Sequence, residues 1–226
     1  MFQQFTSSPL FGFTLCILAY IVGVKIKEKF KYTILNPILT STLLIIGVLT
    51  VFNISLEDFL VGGNMISMFL APATAALALS IYRQMHVIKQ NIIPIAVGSI
   101  VGAVTAVASV LFLCKVMGLT KELTISLMPK SITTAIASEL SLHMGGIVPI
   151  TVASVAVTGI FGAIMSPFFI KWFRINNSIA AGLAIGASCH ALGTSKAIEL
   201  GETEGSLSGI AVGLCGLVTV FISIFL

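Results

Sequence analysis

The chain has 226 residues, of which 57% are hydrophobic and 9% charged, and its mean hydropathy of +1.11 means more apolar surface than a water-soluble domain of this length can bury. That excludes a soluble enzyme or a nucleic-acid-binding domain, and the formal net charge of +4 does not reopen the question, because the basic residues lie in loops beside apolar runs, where membrane topology puts them. The expected fold is all-α, a polytopic protein forming a single membrane domain over residues 1–226.

In chain order, apolar runs of spanning length occupy residues 8–24, 34–52, 59–82, 92–114, 147–170 and 206–226, which predicts six full crossings. The opening MFQQFTSSPLFGF lacks the positive region and small-residue cleavage site of a signal peptide, so the first run is expected to be retained. Two further stretches, residues 123–143 and 178–200, are apolar enough to enter the bilayer but are broken by Pro, Gly, hydroxyls and charges.

Loop charges orient these runs. KIKEKFK (25–31) places the end of the first crossing in the cytoplasm and the N-terminus outside; acidic NISLED (53–58) then falls outside, and Arg83 and Lys89 inside. Lys115 and Lys121 weakly oppose the rule. If residues 123–143 crossed fully, Lys171 and Arg174 would emerge outside; a re-entrant segment entering from outside keeps both inside and is the favoured reading. Non-helical backbone at membrane depth persists only where protein or an aqueous cavity surrounds it, so such a segment marks a site.

TTAIASEL (133–140) is echoed by TSKAIEL (194–200), each followed by Gly (Gly145, Gly201) and an apolar run. With four N-terminal spans in residues 1–114, residues 115–170 and 171–226 would form two inverted repeats, and paired broken segments in such repeats point to a transporter's substrate site. A weaker echo is PATAALA (72–78) ahead of Pro94.

Lys130, Glu139, His190, Lys196 and Glu199 are the ionisable groups expected at or near membrane depth, where a charge costs about 2.5–3.5 kcal/mol and needs a cavity or a partner. The alternative is that Glu139, Lys196 and Glu199 lie in the interface and snorkel. Around Lys130, the hydroxyls of Ser131, Thr133 and Thr134 and a half-helix N-terminus suit a carboxylate, unless Ser131 or Thr133 only caps its own helix. In residues 186–196, small residues surround Ser188, His190, Thr194 and Lys196. His190 either binds substrate or relays a proton, or is a buried histidine satisfied by a carbonyl. Glu139 and Glu199 are candidates for coupling.

The remaining features carry no further chemistry. Cys16, Cys114, Cys189 and Cys215 have no disulfide or metal spacing and read as small packing residues. His86, His143 and His190 share no ligand spacing, so no metal and no cofactor is expected. Gly98/Gly102 and Gly209/Gly213 read as helix-packing faces, and Trp172 as an interfacial anchor. No phosphate loop, catalytic triad or metalloprotease helix is present, and no enzymatic activity is expected.

FLAPATAALA (69–78) with YRQ (82–84), PKSITTAIA (129–137), and ASCHALGTSKA (187–197) with GETEG (201–205) together resemble the hallmark stretches of the LrgB/CidB family, in the same order and over most of the chain beyond the second span. The chain departs from the family where Ala-Arg usually follows the last Gly-Thr; Ser195 and Lys196 stand there, keeping a cation but not an arginine's bidentate grip. The resemblance implies a bacterial cytoplasmic-membrane protein, either an antiholin-like regulator of murein hydrolase activity and autolysis or, as for plastid relatives, a carrier of small carboxylates. It also implies a small LrgA/CidA-type membrane partner. Because two broken polar segments have no evident use in a purely regulatory protein, the favoured expectation is a secondary transporter for monocarboxylates such as pyruvate, lactate or glycolate, with proton coupling and a homo-oligomer as further expectations. Lys130 would hold the carboxylate.

Overall fold

The computed structural model describes residues 6–30 and 35–226, less the side chains of Ser67, Leu70, Ala71, Ala73, Thr74, Leu77, Ala78 and Ser80. Lys31 of the first basic loop, and most side chains of the 69–78 stretch with its echo of residues 131–137, therefore lie outside the described residues. Every regular element among the described residues is helical, and the chain divides into two units, Met1–Ala76 and Leu77–Leu226.

In the first unit, α1 (Pro9–Phe30) packs against α2 (Pro37–Val51) and α3 (Leu56–Ser67). Local chemistry sets the starts of the latter two. Asn36 Oδ1 accepts from Ile38 N at 2.8 Å ahead of Pro37, whose missing N–H costs nothing in a first turn; Ser55 Oγ accepts from Asp58 N at 3.1 Å, with Glu57 and Asp58 at the positive end of the dipole. At the α1–α3 crossing, Gly12 and Gly62 bring the two backbones so close that a Cβ on either would strike main-chain atoms of the other helix.

Helix α4 (Leu70–Arg83) contains the division between the units, and the second unit continues through α5 (Met85–Gln90), α6 (Ile92–Val116), α7 (Lys121–Leu127), α8 (Thr134–Met144), α9 (Val148–Trp172), α10 (Ser178–Leu200) and α11 (Glu202–Ser223). Helix α10 is the centre of this unit and packs against α6, α9 and α11. Its small residues permit the approach: a Cβ on Gly182 would lie 2.6 Å from Glu204 O, one on Gly186 2.8 Å from Ala211 Cβ, and one on Gly102 of α6 2.7 Å from Ala187 Cβ. Gly213, read as a packing position, faces open space.

Among the described residues, four helices, α1, α6, α9 and α11, are long and apolar enough to cross a membrane, and α2 is a shorter apolar helix of 15 residues. Two predicted crossings differ in form. The run 59–82 is divided between α3 and α4, with Met68 N and Phe69 N closing turns to Met65 O and Ile66 O. The run 34–52 forms a helix shorter than the roughly 20 residues that a perpendicular span needs.

Candidate functional site

Both predicted interruptions are present in the second unit. Residues 128–133 separate α7 from α8 as turns and bends; Met128 still has helical angles (φ −55°, ψ −47°), and the helix stops at Pro129, which has no N–H to continue its hydrogen-bond ladder. The flanks are fastened. Ser126 Oγ donates to Glu122 O at 2.6 Å and accepts from Ile147 N at 2.7 Å, and Thr151 Oγ1 bonds Ser141 Oγ at 2.7 Å across α8 and α9. Gly145, at φ 82°, terminates α8 in the left-handed region.

The second interruption is a kink within α10 at His190, whose φ of 44° and ψ of −146° are unusual for a residue with a Cβ. Packing over-determines it. His190 is 3% exposed, and its Nε2 lies 2.8 Å from Val155 O; a carbonyl only accepts, so Nε2 carries the hydrogen. Gly159 and Gly162 of α9 make room, because a Cβ on the first would lie 2.5 Å from His190 Cε1 and one on the second 2.6 Å from Cys189 Cβ. Thr194 Oγ1 then ties the distal half of α10 to Ser208 Oγ of α11 at 2.8 Å and donates to His190 O at 3.2 Å.

The two interruptions meet at a pair of cavities, one on either side of α10. One, about 800 Å³, runs between α6 and α10 with Asn91, Thr105, Ser109, Ser131 and Asn177 among its polar walls. The other, about 390 Å³, lies between α9 and α10 and is lined mainly by apolar side chains. Lys130, Ala184 and Ser188 line both, and among the described residues Lys130 is the one charged residue on either wall. Lys130 Nζ donates to Ser131 Oγ at 3.5 Å. Ser131, 6% exposed, thereby keeps its own O–H available for a bound acceptor.

Of the predicted site residues, Lys130, Ser131 and Ser188 stand together at the cavities. Thr133 is the N-cap residue of α8 but makes no side-chain cap bond, and Thr134 begins the helix exposed. His190 and Thr194 are engaged in packing beneath. Lys196 forms an ion pair with Glu199 at 2.6 Å on the outer face of α10, with side chains 20% and 50% exposed, and neither lines a cavity described above. Glu139 is exposed on α8.

Sequence reasoning missed Cys189, which lines the smaller cavity with its Sγ 3.0 Å from Ser188 Oγ. It also missed Gly159 and Gly162, although their three-residue spacing on one helix face was a visible signal for close approach.

At the cavities a half-buried ammonium therefore stands beside a buried hydroxyl, while the start of α8 at Thr133 and Thr134 lines neither cavity.

Comparison with known proteins covers nearly the whole chain. The sequence profile of the LrgB-like family matches residues 16–226. The chain is similar to the uncharacterized protein YxaC of Bacillus subtilis, 39% identical over 207 residues that cover 92% of this chain and 90% of YxaC. It is also similar to the antiholin-like protein LrgB of Bacillus cereus strain B4264, 36% identical over 218 residues covering 96% and 95% of the two chains. No solved structure matches it.

Proposed function

Because this chain belongs to the LrgB-like family, we propose that it acts as an antiholin-like regulator of murein hydrolase activity and autolysis in a bacterial cytoplasmic membrane, with a small LrgA/CidA-type membrane protein as partner. The observation that carries this reading is the similarity, at 36% identity over 96% of the chain, to proteins named antiholin-like protein LrgB. The test is removal of the chain from its host with and without the partner. Murein hydrolase activity in zymograms and the autolysis rate should rise on deletion and return on complementation; unchanged rates would overturn it.

A second reading is favoured by the position of Lys130 between two cavities at the junction of two broken segments. In it the protein is a secondary carrier of small monocarboxylates, with Lys130, Ser131 and Ser188 at the site and alternating access given by motion of the broken segments. The fuller architecture belongs to the same reading: six crossings with an external N-terminus, two re-entrant or kinked segments at residues 128–133 and 190, inverted repeats over 115–170 and 171–226, and a homo-oligomer. Proteoliposomes under a pH gradient should accumulate at least one labelled short monocarboxylate among pyruvate, lactate, glycolate and butyrate; uptake equal to that of empty liposomes for all of them would end this reading. The two roles join when carboxylate flux through the site sets the regulatory state.

A further inference from the structure

The two cavities that meet at Lys130 differ in chemistry, and that difference bears on the substrate. The larger is also mainly apolar but carries the amides of Asn91 and Asn177 and the hydroxyls of Thr105, Ser109 and Ser131 along its length. The smaller is about 390 Å³ and, apart from Lys130, has only Thr158, Ser166, Ser188 and Cys189 as polar lining; Ser166 and Ser188 donate their hydrogens to Ala163 O and Ala184 O of their own helices. Val157, Phe161, Met165, Phe169, Ile175 and Ile185 make up most of the rest. A ligand held by its charge at Lys130 with its other end in this cavity meets mainly hydrocarbon, with Thr158, among the described residues, the one hydroxyl there that has no bond to its own helix.

Resting on the carrier reading above, we propose that the smaller cavity is the tail pocket of the carboxylate site, so that the ligand is an apolar-chained monocarboxylic acid of butyrate to hexanoate size. The head sits on Lys130 and the Ser131 O–H, which stand side by side at the larger cavity, with Lys130 lining the smaller one as well. The tail extends along α9. A second carboxylate is excluded, because no other cation lines either cavity and burying an unpaired charge is prohibitive. A hydroxyl on the tail is disfavoured for the weaker form of the same reason. Glycolate and glycerate would leave the pocket empty or place polar groups against Phe161 and Ile185, whereas each added methylene removes apolar surface from water.

The test is a chain-length series on the intact protein in nanodiscs, from acetate to hexanoate, with succinate and glycolate alongside and empty nanodiscs subtracted. Affinity should rise about fourfold per methylene up to pentanoate, with succinate binding more weakly than butyrate. Pentanoate should also slow alkylation of Cys189 by a small methanethiosulfonate, read by peptide mass spectrometry, because Cys189 lines the tail pocket. Met165→Trp, which fills that pocket, should abolish the chain-length gain. If affinity is flat or falls with length while glycolate and pyruvate bind, or if bound pentanoate leaves Cys189 alkylation unchanged, the tail pocket is overturned and the carrier reading stands. If no carboxylate binds at all, both fall.

Discussion

Gly159→Ala probes the device that holds the α10 kink in place. The new methyl would lie 2.5 Å from His190 Cε1, 2.6 Å from Nε2 and 2.8 Å from Leu192 Cδ1, so the ring must leave its position. Such overpacking costs about 1–3 kcal/mol, and a displaced ring strands a buried N–H that now meets Val155 O at 2.8 Å, for about 1–3 kcal/mol more. Replacing a mid-helix glycine returns about 1 kcal/mol of helix propensity. The net destabilisation is therefore roughly 1–5 kcal/mol. A double-mutant cycle with His190→Ala isolates the cause, because removing the ring vacates the space the methyl needs. In that background Gly159→Ala should be neutral or stabilising by up to about 1 kcal/mol. The measurement is thermal or denaturant unfolding of the four purified proteins in detergent. An equal cost of Gly159→Ala in both backgrounds would refute the reasoning.

Lys130→Ala should weaken carboxylate binding about 10- to 100-fold, the worth of a charge-assisted hydrogen bond, with Lys130→Arg retaining part of it; titration calorimetry reads both. Ser126→Ala should destabilise the protein by about 1–3 kcal/mol, since the Ile147 amide loses its acceptor, and should be seen as a lowered melting temperature. Lys196→Ala should change stability by less than about 1 kcal/mol and leave carboxylate affinity unchanged, because its partner is the exposed Glu199.

How much of this was legible in the sequence differs from residue to residue. The break at residues 128–133 was readable because Pro129 and a lysine interrupt an otherwise apolar run, and both have a direct physical meaning. The second break was readable only as a region: small residues marked 186–193, but the kink falls on His190, whose left-handed φ is imposed by Val155 and by space at Gly159 on another helix. Composition treats lone thiols as packing, so Cys189 gave no signal, and only the fold places it on a cavity wall. Lys196 was expected near membrane depth, yet its spacing from Glu199 already allowed a local i,i+3 pair, which is what forms. The run 59–82 looked continuous because hydropathy averages over a window; the turn at Met68 and Phe69 is set by main-chain geometry that apolar content does not encode.

The most direct measurement is complementation of a deletion strain with the parent chain or with Lys130→Ala, matched for membrane abundance, followed by autolysis rate and murein hydrolase zymography. If regulation works through the Lys130 cleft, the parent restores restraint and Lys130→Ala does not. Full restoration by Lys130→Ala would contradict the account and leave the cleft without a part in the protein's role.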